Sequence, residues 1–333
     1  MNYIEEFKNF LQSGGRAREI LETFEDFDVF VLINQSNPIE ADRLNGDMLR
    51  YDLAAFTHVV AQQKYPDTRE DARAMYEYLI DHTLPCLDAA DGDYIVEGDY
   101  RNMLHAVMPL SVVLAYHFPE YFFPNFYRYK FYEFLQLADA CGFELPPMPK
   151  KEDYRGRCMY YWQLCEILHD FRLQHNLLPA ELWTFIYAFA PMCVSAGFGE
   201  LPAPTACWWV GRREAIDEYR DATQTHLRPK VHKGDLIVRY EAAPTKAVTS
   251  FWKVLSDVIV DPFDPHYTTT YVGDKLQTPS LTLKELQADE YFSRHPLCKH
   301  RFLSSEGYQL TEEDMKQLLR LLSAKGFDTG MVG

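Results

Sequence analysis

The sequence predicts an α+β protein with an all-helical N-terminal domain followed by a β-rich C-terminal domain. Apolar residues recur every three or four positions through most of residues 1–195, which is the spacing of amphipathic helices. After Ala206, β-branched and aromatic residues occur in short runs that favour strands. The stretch Gly197–Pro204 separates the two patterns and predicts a loop. We therefore expect a helical domain at 1–200 and a second domain at 206–333.

The helical domain contains a series of amphipathic segments with recognisable ends. The predicted helices are Tyr3–Leu11, Ala17–Phe27, Met48–Ala61, Arg69–Leu84, Arg101–His117, Phe126–Cys141 and Met159–His175. Gly142 follows the sixth of them at the position typical of a helix C-terminus. A last helix begins near Leu178, with Pro179 in its first turn. The aromatic stretch Tyr116–Phe131 fits a core between helices better than a partner-binding surface.

The second domain alternates short strands with turns and ends in helices. The predicted strands are Cys207–Val210, Asp235–Tyr240, Lys246–Val254 and Tyr267–Val272. Asp261–Pro265 is rich in aspartate and proline and predicts a turn. Leu283–Asp289 and Thr311–Ala324 predict helices, the second with acidic residues in its first turn.

Composition indicates a compact protein and points away from a membrane. Hydrophobic residues make up 47% of the chain and aromatic residues 15%, which is ample for folded cores. The first residues carry acids and no apolar run, and no stretch is long enough to span a bilayer. The seven cysteines are scattered without a CxxC pair, as in reduced thiols. We expect a cytoplasmic protein that binds no membrane.

The net charge of −16 is concentrated in the helical part. Residues 206–333 hold 17 of the 33 basic and 18 of the 49 acidic residues, a net charge of −1. Residues 1–205 therefore hold 16 basic and 31 acidic residues, a net charge of −15. A polyanion would be repelled by the first part and tolerated by the second.

The C-terminal part contains Trp208–Gly211, the glycine-aspartate strand Lys233–Tyr240 and a further strand carrying Trp252. With the tail that follows, this pattern over about residues 206–324 resembles the EVE domain, a member of the PUA-like superfamily related to the YTH readers of methylated adenine. The resemblance is most specific in the tail. The matching tail residues are Leu283, Leu286, Asp289, Leu297, Arg301, Leu303, Ser304, Leu310, Thr311 and Leu318.

The resemblance implies a β-barrel with flanking helices and an aromatic pocket for a flipped, modified base. A base that leaves its stack exposes two π-faces and a polar edge, so the pocket needs flat walls and a few donors and acceptors. The expected base-binding residues are Trp208, Trp209, Tyr219, Thr225, Arg239, Tyr240, Trp252 and Ser304. The expected phosphate-binding residues are Arg228, Lys230, Lys233 and Arg301.

Two features leave the ligand open. Trp208 and Trp209 are adjacent on one strand and face opposite ways, so only one of them can line the pocket. The family's asparagine-containing segment between the first strand and the glycine-aspartate strand is missing between Arg213 and His226. Tyr219, Gln224 and Thr225 are its nearest chemical substitutes there.

The sequence predicts a reader without enzymatic activity, metal or cofactor. It contains no GxxxxGK[ST], GxSxG or HExxH motif. In the helical part, residues 121–146 (YFFPNFYRYKFYEFLQLADACGFELP) and 181–191 (ELWTFIYAFAP) weakly resemble the N-terminal regions of McrB-like restriction proteins. This resemblance implies a role in modification-dependent restriction or anti-phage defence, with DNA as the nucleic acid and an ATPase or nuclease as protein partner.

Two alternatives remain open at this stage. The chain can be an interaction adaptor whose PUA-like pocket has lost its ligand, which the missing asparagine segment favours. It can also be a nuclease with an unrecognised site. Asp257, Asp261 and Asp264 can in principle hold a metal, but the Asp-Pro turns explain their spacing better.

Overall fold

The computed structural model describes residues 2–82, 99–194, 197–212, 222–225 and 230–332, and the chain divides into two compact units. The helical unit comprises Met1–Ala196 together with Asp261–Tyr267, and the sheet unit comprises Gly197–Val260 and Thr268–Gly333. Helices and a β-sheet are thus both present, as in an α+β protein. Within the described residues, no helix has the length and apolar character needed to cross a membrane.

The helical unit follows the predicted order and adds two short helices. Its helices are α1 (Tyr3–Gln12), α2 (Arg16–Asp26), α3 (Val29–Ser36), α4 (Pro38–Arg43), α5 (Gly46–Val60), α6 (Arg69–His82), α7 (Tyr100–His117), α8 (Phe131–Cys141), α9 (Tyr154–His175), α10 (Pro179–Thr184) and α11 (Ala190–Cys193), with a π-helical turn at Phe185–Phe189. The additional helices α3 and α4 begin at side-chain caps. Asp28 accepts hydrogen bonds from the N–H groups of Phe30 and Val31, and Asn37 accepts one from Glu40.

The core of the helical unit forms around α7, which is buried from Met103 to Ala115 apart from His105 and packs against α5 and α9. Most of the aromatic stretch before α8 joins this core, as the sequence favoured. Its buried members include Phe122, Phe123, Phe126 and Tyr127. Helix α8 starts at Phe131 rather than at Phe126, and Tyr129 just before it has a positive φ of 65°, which a helix does not allow.

The sheet unit contains a curled sheet with strand order β2-β6-β4-β3-β1-β7, and β5 pairs with β6. The strands are β1 (Cys207–Arg212), β2 (Ala222–Thr225), β3 (Leu236–Glu241), β4 (Ala247–Val254), β5 (Ile259–Val260), β6 (Thr268–Thr282) and β7 (Ser304–Leu310). Strands β1 and β3 are parallel and the other pairs are antiparallel. The helices are α12 (Leu283–Ala288), α13 (Pro296–Lys299) and α14 (Glu312–Ser323).

Helices α12 and α14, which the sequence predicted, start at capping boxes that directly follow strands. Thr282 at the end of β6 accepts from the N–H of Glu285, whose carboxylate accepts from the Thr282 N–H. Thr311 and Asp314 make the same reciprocal pair after β7. The sequence predicted both helix starts. The caps fix the point at which each strand turns back over one face of the sheet, where α12 and α14 contribute to the core.

The short helix α4 contains one member of a buried ion pair. Glu40 is fully buried, and its Oε1 lies 3.1 Å from Nε of Arg128. Asn37, also fully buried, donates hydrogen bonds to the backbone carbonyls of Phe126 and Arg128 at 2.8 and 2.6 Å. Burial raises the pKa of the Glu40 carboxyl to about 7, although the neighbouring Arg128 and Arg43 lower it.

The raised pKa of Glu40 predicts a pH-dependent stability. A carboxyl whose pKa rises on folding stabilises the folded state below its unfolded pKa, and this stabilisation is lost as the pH rises through the folded pKa. We expect wild type to lose roughly 3 kcal/mol relative to the Glu40→Gln variant between pH 4.5 and 8.5. Urea unfolding across this range measures the difference. The exposed Glu25→Gln variant should track wild type, and parallel curves for wild type and Glu40→Gln would contradict the prediction.

Candidate functional site

The candidate site is organised by the Gly234–Asp235 turn that the sequence singled out. Gly234 has a φ of +92°, and a side-chain carbon added there would lie 2.5 Å from the carbonyl oxygen of Pro202. Only glycine therefore fits the position without moving the backbone. The N–H of Gly234 donates to the carbonyl of Val254 at 2.8 Å, which attaches the turn to the end of β4.

The side chain of Asp235 is buried and connects the beginnings of β1 and β3. Its carboxylate accepts hydrogen bonds from the hydroxyl and N–H of Thr205 (2.9 and 3.3 Å), the N–H groups of Ala206 and His232 (both 3.0 Å), and Nε1 of Trp208 (2.9 Å). Four N–H groups and one hydroxyl therefore donate to this one carboxylate. The orientation of the Trp208 indole is set by this contact.

Trp208 and Trp252 lie on the same face of the sheet. Their strands are both paired with β3, where Ile237 is the partner of each tryptophan. The indole Nε1 of Trp252 donates to the hydroxyl of Ser250 at 2.9 Å, and Nζ of Lys275 lies 5.4 Å from the centre of the Trp252 ring. The two indoles are 3% and 5% exposed, so neither ring is open to solvent.

Buried polar groups lie on this same face. Arg239 follows Ile237 by two residues on β3, which places it on the face of Ile237, and its strand partner is Ser250. Thr270 precedes Val272 by two residues on β6 and shares the face of Val272, a neighbour of the tryptophans. Its hydroxyl is buried and has no hydrogen-bond partner among the described residues. We call the set Trp208, Ile237, Arg239, Ser250, Trp252 and Thr270 the tryptophan face.

The other two predicted aromatic residues lie on the opposite face. Trp209 and Tyr240 are stacked with ring centres 5.7 Å apart, and both pack against Phe302 in the core beneath the helices. Nε1 of Trp209 donates to the carbonyl of Phe302 at 2.8 Å. The prediction that Trp208 and Trp209 face opposite ways is confirmed. The four rings therefore do not form one common pocket.

The remaining predicted residues lie in several places, and the backbone of Thr225 adjoins the tryptophan face. Ser304 pairs with Gly211 on β7, away from the tryptophan face, and Thr225 is the β2 partner of Thr270. Nζ of Lys233 donates to the carbonyl of Phe198, which leaves this lysine engaged within the protein. Lys230 and Arg301 are exposed. Tyr219 and Arg228 lie outside the described residues.

A cavity of about 680 Å³ lies elsewhere in the sheet unit, between the helices that follow β6 and β7. It is lined by Asp289, Glu290, Tyr291, Arg294, His295, Pro296, Gln317 and Arg320. Beneath it, Oδ1 of Asp314 accepts from the hydroxyl of Tyr291 at 2.6 Å and lies 3.1 Å from Nε2 of His295. Of its lining residues, Arg294 belongs to a group of basic residues in the sequence, Arg294, Lys299, His300 and Arg301.

Comparisons with known proteins add little to this geometry. No family model and no curated protein matches the chain. The chain is similar to the NMR structure of Rpa0253 from Rhodopseudomonas palustris, at 16% identity over 36% of this chain and 94% of that chain, with a TM-score of 0.32. A TM-score this low does not establish a shared fold.

The hydrogen bonds of Asp235 predict a large effect for a substitution of one atom. In the Asp235→Asn variant, the amide nitrogen would face N–H donors, and the hydrogen bonds that the replaced oxygen accepts would be lost. We expect a loss of about 3 kcal/mol or more in the free energy of unfolding. Urea unfolding followed by tryptophan fluorescence measures it.

The control for this variant is Asp274→Asn. The Asp274 side chain is 60% exposed, and its carboxylate lies 3.8 Å from Nζ of Lys253. We expect a change within about 0.5 kcal/mol for this surface position. Equal stabilities of the two variants would show that Asp235 does not connect the strand beginnings as described.

Proposed function

We propose that the sheet unit is a PUA-like, EVE-type reader that binds a modified base of nucleic acid, with DNA as the preferred ligand, and that it does so without catalysis. The observation that carries the proposal is the tryptophan face. It places the indole of Trp252 on one face of the sheet with the buried guanidinium of Arg239 and the hydroxyl of Thr270, which has no partner among the described residues. The curled sheet with helices over one face is compatible with a PUA-like domain.

The chemistry of the tryptophan face suits a flat heterocycle with polar edges. The indole of Trp252 offers a π-surface for stacking, and Arg239 and Ser250 offer a donor and a hydroxyl beside it. A buried hydroxyl without a partner is costly, and a ligand that hydrogen-bonds to Thr270 would remove that cost.

A base reaches Trp252 by replacing the ammonium group of Lys275 over the indole. Lys275 is exposed and has a flexible side chain. A cation–π contact at an exposed site contributes about 0.5–1 kcal/mol. Stacking of a base on an aromatic ring contributes roughly 1–3 kcal/mol. Stacking of a base on Trp252 can therefore outweigh the cation–π contact that it replaces.

The helical unit would attach the reader to partner proteins. Its sequence carries most of the chain's acidic excess, which disfavours direct binding to nucleic acid. A partner ATPase or nuclease would supply the activity in modification-dependent restriction or another anti-phage defence in the cytoplasm. This role follows from the sequence resemblances alone.

A second candidate function is an interaction adaptor with a degenerate pocket. The observation that favours it is the burial of both indoles on the tryptophan face, at 3% and 5% exposure. In an adaptor, Trp208 and Trp252 would only pack the sheet, and no nucleic acid would bind there. The two functions differ in whether changes on this face alter binding to a modified oligonucleotide.

Binding of modified oligonucleotides tests the proposal. Duplex and single-stranded DNA and RNA carrying methylated adenine or modified cytosine would be titrated against wild type, with unmodified strands for comparison. The Trp252→Leu variant keeps an apolar side chain but removes the π-surface. We expect it to bind the preferred modified strand about 10- to 100-fold more weakly than wild type.

The matched control is Tyr240→Leu, an aromatic-to-leucine change on the opposite face of the sheet. It should lower stability without changing the affinity of the folded protein. Failure of wild type to prefer any modified strand would reject the reader and favour the adaptor. Equal weakening by Trp252→Leu and Tyr240→Leu would reject the tryptophan face as the binding site.

A further inference from the structure

The segment Asp261–Tyr267 lies between β5 and β6 in sequence but belongs to the helical unit; we call it the return segment. It is closed by its own hydrogen bonds. Oδ1 of Asp261 accepts from the N–H groups of Phe263 and Asp264 at 2.9 and 3.2 Å. The N–H of Asp261 donates to the carbonyl of Tyr267 at 2.9 Å, and the N–H of Tyr267 donates to that of Asp264 at 2.8 Å. The turn is therefore largely pre-organised.

Phe263 anchors the return segment in the helical unit. Its side chain is 1% exposed and belongs to the core cluster of the helices. The ring centre lies 5.9 Å from that of Phe131 on α8 and 6.5 Å from that of Tyr160 on α9. Burying a phenylalanine contributes roughly 1.5–3 kcal/mol, so this one side chain supplies a large share of the attachment.

The backbone of the return segment is held by a buried guanidinium. Nε of Arg157 on α9 donates to the carbonyl of Pro262 at 2.9 Å, and Nη2 donates to that of Asp264 at 2.5 Å. Arg157 itself is fully buried and fixed by a third hydrogen bond to the carbonyl of Lys151. Because the guanidinium donates to two carbonyls at once, it requires a particular distance and orientation between them, and so a particular shape of the turn.

The first aspartate and the last tyrosine are held at opposite ends. The N–H of Tyr129 donates to Oδ2 of Asp261 at 2.8 Å, and the hydroxyl of Tyr267 donates to the carbonyl of Pro149 at 2.6 Å. Burial and the neighbouring Asp264 raise the pKa of Asp261, although the backbone N–H groups and Arg128 lower it. An aromatic anchor, clamped carbonyls and a held carboxylate are the features with which proteins recognise short peptides.

We infer that the helical unit contains a peptide-recognition site for a phenylalanine flanked by aspartates in a closed turn, and that the return segment is its resident ligand. This function is distinct from base recognition and does not depend on it. The occupant is the chain's own Asp-Pro-Phe-Asp-Pro sequence, so the chemistry of the site is read directly from the contacts it makes. A partner protein that presents the same turn is the kind of ligand that fits.

A synthetic peptide of residues 259–269 tests this inference on the full chain. The tethered segment has an effective concentration on the order of millimolar, so micromolar peptide does not displace it from wild type. The Phe263→Ala variant removes the resident anchor and should bind labelled peptide at least about tenfold more tightly than wild type, measured by fluorescence polarisation. A peptide that carries the Phe263→Ala change should bind neither protein.

A second variant and a second measurement distinguish a loss of peptide binding from a loss of folding. Phe263→Leu keeps an apolar side chain but is a weaker anchor, so its affinity for the peptide should lie between those of wild type and Phe263→Ala. Phe263→Ala combined with Arg157→Lys should bind the peptide at least about tenfold more weakly than Phe263→Ala alone. Circular dichroism reports whether the helices persist. Folded variants that do not bind the peptide would overturn the inference. Unfolding of both Phe263 variants would overturn it as well, because the segment would then be an inseparable part of the core.

Discussion

The buried carboxylate of Asp235 is the constraint on which the sheet unit depends. Strands β1 and β3 are parallel, so no tight turn can join them and their relative position must be fixed in another way. Asp235 does this by accepting from the backbone before β1, from the backbone before β3 and from the Trp208 indole. The same contact decides the register. A shift of one residue would place Trp209 rather than Trp208 beside the carboxylate and exchange the two faces.

The two faces of the sheet then differ in composition because they have different neighbours. The face of Trp209 and Tyr240 is covered by helices and is apolar, so it contributes mainly to stability. The tryptophan face has a smaller apolar cluster and includes a buried arginine and a threonine hydroxyl without a partner among the described residues. Buried polar groups in a face that needs only to pack are unfavourable. In the proposed reader, a ligand that hydrogen-bonds to Thr270 would remove this cost.

The sequence predicted those strands and helices whose formation depends on neighbouring residues. The strands around Trp208, Asp235 and Trp252 follow from β-branched and aromatic runs, and the helices after β6 and β7 follow from their caps. The long extension of β6 was missed because Pro279 normally ends a strand; it is tolerated at an irregularity in the pairing with β4. Strand β7 was missed because SSEGYQL is short and polar. Of the predicted aromatic residues, only Trp208 and Trp209 could be assigned to opposite faces from the sequence, because adjacent residues of one strand alternate in direction.

No local sequence pattern could predict that the return segment belongs to the helical unit. Its aspartates and prolines predicted a turn, and the turn is present, but nothing nearby in sequence indicates that Phe263 joins a core built by residues more than a hundred positions earlier. The tether also sets a requirement for any competing partner. Against an intramolecular ligand with an effective concentration on the order of millimolar, a single phenylalanine turn would be too weak to compete. A partner would need further contacts around Arg157 and Tyr129, or it would have to bind when the resident anchor is already released.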